Sequence, residues 1–243
     1  MAFRLSPATL ALTALLAAVA LTATMVTAED LSYQLPPQAL VDLVDAPPTP
    51  AVAVSPDREW MLLLARPNLP PISELAEPEL RLAGLRIKPR TGGPSRAGFV
   101  TGLTLKRVDD LSERPITGLP ANPRIGGLRW SPDGARIAFT VTGETDITLW
   151  TASVADGQAK QLTARPLNAV FGFSPAWLPD GKTLVCLAVP AGRGPEPSAD
   201  PTPAGPVVQE NLGKTSPART YQDLLAGPHD EALFEHYASA QAL

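Results

Sequence analysis

The chain has 243 residues, 44% of them hydrophobic, and a formal net charge of -4. That apolar content suffices for a core and excludes a chain disordered throughout. The acidic balance excludes bulk binding of phosphate backbones, which needs clustered, uncompensated Lys and Arg, so nucleic acid is not an expected partner. With 28 prolines and 18 glycines, the chain is cut by turns into short segments, which favours an all-β fold over one of long helices.

Residues 1–28 read as an address. Arg4 is followed by an uncharged run from Ala8 to Val26, then by the small residues Val26-Thr27-Ala28 and at once by Glu29-Asp30. This is the order of a secretory signal with its cleavage site. An uncleaved anchor is the alternative, since the run approaches the roughly 20 residues that span a bilayer. Its Ala and Thr content makes it weakly apolar and favours cleavage. The expected mature chain starts near Glu29, is exported to the periplasm or the medium, and keeps no stable membrane span. No cysteine stands near the cleavage point to carry a lipid.

A turn motif then recurs three times: Val54-Ser55-Pro56-Asp57-Arg58, Trp130-Ser131-Pro132-Asp133-Gly134 and Trp177-Leu178-Pro179-Asp180-Gly181. Proline presets φ at the first corner, Asp bonds its own backbone and Gly supplies positive φ, so each copy predicts a hairpin between apolar runs. The first copy carries Arg58 where the others carry Gly. After the second copy, Ile147 to Thr151 alternates at period two, Ala155-Asp156-Gly157 turns, and Ala159 to Thr163 follows. Four short strands between about Ile125 and Thr163 match one propeller blade of about 40 to 45 residues.

The spacing from Pro132 to Pro179, 47 residues, fits one blade, whereas that from Pro56 to Pro132, 76 residues, does not. An insertion at about 67–98, with a short polar helical piece around Ser73 to Ala76, accounts for the excess. The expected organisation is therefore a signal helix at 1–28 and a partial all-β propeller at 29–243, of two to three four-stranded antiparallel blades. The first blade covers about 51–120, the second about 121–164, and an incomplete third about 168–243 with a proline-rich loop at 190–206. Within the third, Gly172 to Trp177 and Lys182 to Val189 read as strands, Thr220 to Ala226 as a helical turn and Leu233 to Gln241 as a further strand. Since a ring closes with about four to eight blades, the expectation is a fragment of a larger propeller.

Nothing in the chain amounts to a complete catalytic, cofactor or metal site. A serine hydrolase needs its nucleophile on a Gly-x-Ser-x-Gly turn. The nearest string, Gly172-Phe173-Ser174-Pro175-Ala176, lacks the last Gly and puts an N–H-less proline after the serine. His229 and His236 are not in His-Glu-x-x-His spacing, and with Glu231 and Glu235 they read as surface groups. Asp57, Asp133 and Asp180 offer one carboxylate per loop, short of the roughly six to eight oxygens of a calcium site, and read as turn caps. Trp130, Trp150 and Trp177 read as blade-core packing. Cys186, the only cysteine, allows no disulfide and reads as a buried thiol. The basic run Arg81, Arg86, Lys88, Arg90 and Arg96 reads as a solvated strand face.

Four further strings are more specific than the turn motif: Tyr33-Gln34-Leu35-Pro36-Pro37, Asp45-Ala46-Pro47-Pro48-Thr49-Pro50, Leu75 through Ile87, and Thr220-Tyr221-Gln222-Asp223-Leu224-Leu225. They resemble the N-terminal region of bacterial exported serine peptidases of the prolyl oligopeptidase family, near its glutamyl-endopeptidase-like members. The resemblance covers essentially the whole mature chain. It implies a propeller preceding a C-terminal α/β-hydrolase domain that carries Ser, Asp and His, with the propeller limiting which peptides enter. None of the triad positions falls in the matched portion, so the chain alone is expected to be inactive. The turn motif by itself also fits a periplasmic TolB-like propeller acting as a protein-interaction scaffold.

Overall fold

The computed structural model describes residues 34–172, 175–200, 205, 212–213 and 221–243; the expected signal segment lies outside them. The chain divides into two units, Met1–Val44 and Asp45–Leu243. What is described of the first is essentially helix α1 (Gln38–Asp45), which starts directly after Pro36-Pro37. Gln38 Nε2 donates to Asp42 Oδ1 at 2.7 Å, an i, i+4 pair that supports the short helix.

The second unit opens with β1 (Ala51–Val54) and β2 (Trp60–Ala65), followed by the one-turn helix α2 (Ile72–Leu75), β3 (Leu80–Leu82), β4 (Leu85–Lys88) and β5 (Gly93–Pro94). Then come β6 (Gly102–Arg107) and β7 (Glu113–Pro115). A four-stranded antiparallel sheet runs in the order β1-β2-β6-β7, while β3-β4-β5 form a separate three-stranded sheet inserted between β2 and β6. The insertion is thus a structured subdomain, more than the loop with a helical piece that its prolines suggest. Its hairpin corner, Ala83-Gly84, has positive φ at both residues, which fits the twist of a two-residue hairpin.

The second four-stranded antiparallel sheet contains β8 (Ile125–Trp130), β9 (Arg136–Thr142), β10 (Ile147–Ser153) and β11 (Ala159–Gln161), in chain order. A register shift between Gly126 and Arg129 marks a bulge in β8, where Gly127 takes φ +59°. One face of this sheet supplies Ile137, Phe139 and Ala152, and the first sheet supplies Leu62, Leu103 and Leu105, to a single buried cluster. Period-two alternation thus becomes a dry sandwich between successive sheets. Each fully buried Leu, Ile or Phe there contributes about 1.5–3 kcal/mol.

The third repeat is shorter. A two-stranded pair is made by β12 (Ala176–Trp177) and β13 (Leu184–Val185), and β14 (Leu187–Ala188) pairs with β15 (Gln241–Ala242). Between these, Pro228–Ala238 forms helix α3. The strand expected over Leu233 to Gln241 is therefore helical up to Ala238. Proline in the first turn, acidic Asp230 and Glu231 behind it, and buried Leu233 and Tyr237 four residues apart give it a helical, not a strand, period. The helical turn expected at Thr220 to Ala226 is also corrected: Thr220 lies outside the described residues, and Tyr221 to Ala226 are irregular. Asp223 takes φ +55°, incompatible with a right-handed turn, and its carbonyl accepts from the Gly84 amide at 2.9 Å. The molecule is all-β in character, an array of antiparallel sheets resembling successive propeller blades, with no closed ring among the described residues.

Candidate functional site

The three Pro-Asp turns are held by their own side chains. Ser55 Oγ donates to Asp57 Oδ1 at 2.5 Å, and the Glu59 amide donates to the same oxygen at 3.1 Å. In the second copy Ser131 Oγ and the Ala135 amide do the same to Asp133, at 2.5 and 3.1 Å. The third copy has Leu178 in place of Ser, and Asp180 accepts instead from the Thr183 hydroxyl at 2.6 Å and from the Lys182 and Thr183 amides, each at 2.9 Å. These bonds hold the Asp180 carboxyl at about 2, the Thr183 hydroxyl contributing most. The three carboxylates are engaged by backbone and neighbouring hydroxyls, and no group of three His, Cys, Asp or Glu that suits a metal occurs among the described residues.

The other sequence candidates are scattered. Gly172 is exposed with φ +65° and Pro175 is buried, while Phe173 and Ser174 lie outside the described residues. His229 and His236 both sit half-buried on α3, with Glu231 and Glu235 exposed. His236 stacks edge-on against Tyr237 at 5.0 Å, and burial lowers its pKa. Cys186 is buried beside β13, and desolvation pushes its thiol up. Trp130 and Trp150 pack against the core between the first two sheets. Trp177 does not join it: its Nε1 donates to the Arg129 carbonyl at 3.1 Å and its ring lies beneath Arg136.

The basic run is not a uniformly solvated face. Arg81, Arg86 and Arg96 converge on one carboxylate, Glu79, at 3.1, 3.7 and 3.3 Å. Lys88, at the end of β4, points inward and is only 4% exposed. A charged group is buried at that depth only when paired, and Lys88 Nζ meets Glu74 Oε1 at 2.7 Å and Glu77 Oε2 at 2.9 Å.

This buried lysine marks the candidate functional site. Glu74 is 5% exposed at the start of the insertion, on the one-turn helix α2. One of its oxygens binds Lys88 and the other binds Arg124, which leads into β8 of the second sheet. Burial pushes the Glu74 carboxyl up, but the hydrogen bonds from Lys88 and Arg124 outweigh it and hold it below the ordinary glutamate value. Arg124 in turn lies 4.6 Å over the Phe99 ring, past the end of the inserted sheet. Beside the cluster, a Cβ on Gly93 of β5 would stand 2.5 Å from Ile147 Cδ1 of β10, so any larger residue there requires the Ile147 side chain to shift.

Together these groups line a cleft of about 260 Å³. Within it Glu74 pairs with both Lys88 and Arg124, and Glu77, outside the lining, completes the neutralisation of Lys88. The cluster is suited to fixing the inserted sheet against the second sheet, and it presents no activated nucleophile. Sequence reasoning missed Glu74, Glu77 and Arg124 as a group, because 14 and 50 residues separate Glu74 from Lys88 and Arg124 and no local pattern links them. The one available signal was Lys88 itself, followed by Pro89 and flanked by the apolar Ile87.

No family model matches the chain. It is 40% identical over 225 residues to a probable glutamyl endopeptidase, chloroplastic, of Oryza sativa subsp. japonica, in a match covering 87% of this chain and 24% of that protein. A protein of the same description from Arabidopsis thaliana is 40% identical over 222 residues, covering 86% of this chain and 23% of its own. The chain thus spans about a quarter of the length of the curated relatives it matches. Among solved structures, an acylaminoacyl peptidase of Pyrococcus horikoshii is similar at 17% identity and a TM-score of 0.33, over 54% of this chain and 16% of that one. TolB from Acinetobacter baumannii is similar at 17% identity and a TM-score of 0.29, over 63% of this chain and 40% of that one. Among the described residues no helix is long and apolar enough to cross a membrane.

Proposed function

We propose that the chain is the N-terminal propeller region of an exported serine peptidase of the prolyl oligopeptidase family, close to its glutamyl-endopeptidase-like members. The observation that carries this reading is 40% identity along 87% of the chain to proteins described as glutamyl endopeptidases. In this reading residues 1–28 direct export and are removed, and residues 29–243 supply the first blades, with the insertion at about 67–98 in the first. The Ser, Asp and His of catalysis lie on an α/β-hydrolase domain C-terminal to residue 243, and the propeller limits which peptides reach it.

The Glu74–Lys88–Arg124 cluster serves that gating by fixing the insertion to the second blade, so that the rim of the propeller is one rigid surface. The region alone hydrolyses nothing. The test is the coding sequence downstream of residue 243: a continuous frame containing Gly-x-Ser-x-Gly supports the reading, and a stop followed by unrelated sequence overturns it.

A further inference from the structure

The two faces of the second sheet differ. The face toward the first sheet is a dry core. Along β10, the opposite face begins as core, with Ile147 and Leu149 packed on Leu167 and Cys186, and then becomes polar at Thr151 and Ser153. There it opens into a groove of about 310 Å³ toward the third repeat. Antiparallel pairing sets Arg136 opposite Ser153 and Lys160 opposite Thr151, so all four share this face. The far wall carries Trp177 and Lys182, from β12 and the turn that follows it.

Three cations therefore line one groove. None of them makes an ion pair among the described residues, in contrast to Lys88, Lys106, Arg107 and Arg124. The carboxylates nearby are engaged. Asp156 is the one carboxylate lining the groove, against three cations, and it is tied to its own turn by the Gln158 amide at 3.0 Å and the Ser153 hydroxyl; Asp133 and Asp180 hold their turns. The Arg136 guanidinium lies 5.8 Å over the Trp177 ring, which holds it in the groove; it attracts the Asp133 carboxylate without forming an ion pair with it.

We propose that this groove is a docking site for an acidic peptide segment of a partner protein. Cations on both walls, on β9, β11 and the third turn, suit an extended run of carboxylates better than one compact anion. The exposed Gln158 on the floor offers hydrogen bonds to a peptide backbone, and Trp177 offers a flat apolar wall. The site lies at the end of the array that carries the Pro-Asp turns, and it is separate from the peptidase activity assigned above.

The test is fluorescence anisotropy of labelled hexaglutamate titrated with the full chain, with hexalysine and inorganic phosphate as separate probes. Hexaglutamate is expected to bind and hexalysine not to, with affinity falling as salt rises. Lys160→Glu and Lys182→Glu are each expected to weaken binding about tenfold or more, and the milder Lys160→Gln and Lys182→Gln about threefold, whereas Arg90→Glu, outside the groove, leaves it unchanged. The glutamine variants keep the test valid should a charge reversal impair folding. Absence of hexaglutamate binding, equal weakening by Arg90→Glu, or competition by phosphate at concentrations equal to the peptide overturns the proposal.

Discussion

The Asp57 carboxylate of the first Pro-Asp turn lies against Gly134 of the second, where an added Cβ would stand 2.7 Å from Asp57 Oδ2. The relationship recurs one repeat on: Asp133 lies against Gly181, with 3.4 Å to the nearest carboxylate atoms. The first two turns thus each cap themselves with an aspartate and seat that aspartate on the glycine of the next repeat. Both glycines have positive φ, +69° and +64°, so alanine is strained at either. Gly134→Ala is expected to cost about 2–3 kcal/mol and Gly181→Ala about 1–2, because only the former also displaces a carboxylate. Urea melts of the two variants check the order. At Arg58, which already occupies φ +62°, Arg58→Gly is expected to stabilise by up to about 1 kcal/mol.

The buried ion cluster gives a second expectation. Glu74→Ala leaves Lys88 with Glu77 alone and strips Arg124 of its carboxylate. The cost is expected near 3 kcal/mol, at the low end for a broken buried pair because Arg124 reaches solvent. The loss of Glu79, whose arginines are exposed, is expected to change the midpoint less. Denaturant midpoints of the two alanine variants decide it.

Acid sensitivity follows from the third turn. Asp180 has its folded pKa lowered to about 2 from an ordinary 3.8. A depressed carboxyl contributes stability above its unfolded pKa and loses it as pH falls through the folded value. Stability is therefore expected to fall between about pH 4 and pH 2, and the fall to be shallower in Asp180→Asn, read by thermal melts across that range.

The close approach of insertion and second sheet is testable by compensation. Gly93→Ala drives a methyl into Ile147 Cδ1 and is expected to cost about 1–3 kcal/mol. Adding Ile147→Val, which removes that carbon, is expected to recover part of the loss, a coupling a double-mutant cycle measures.

Cys186 is 1% exposed and its thiol is pushed up by burial. Alkylation of the native chain at pH 8 is expected to be slow and to accelerate with urea in step with unfolding. Rapid stoichiometric labelling in buffer would contradict the burial.

What the sequence made legible was local. The Pro-Asp turns and the alternation from Ile147 to Thr151 announce themselves within a few residues, and the structure has the four strands β8 to β11 where that alternation and its flanking turns predict them. Helix α3 was misread because its period is expressed through Leu233 and Tyr237 packing on Leu82 and Ile87, about 150 residues earlier in the chain. The charge cluster was illegible for the same reason. Lys88 sits in a run of cations that looks solvated until Glu74 and Arg124 are brought to it by the fold. The groove cations Arg136, Lys160 and Lys182 are likewise dispersed over three elements.

The central proposal is that this region gates a peptidase whose catalytic Ser, Asp and His lie on another domain. The most direct measurement is labelling of the purified chain by a fluorophosphonate probe, together with hydrolysis of glutamyl peptide substrates. The account predicts neither labelling nor turnover above buffer. Stoichiometric labelling with turnover, both abolished by Ser174→Ala, would contradict it.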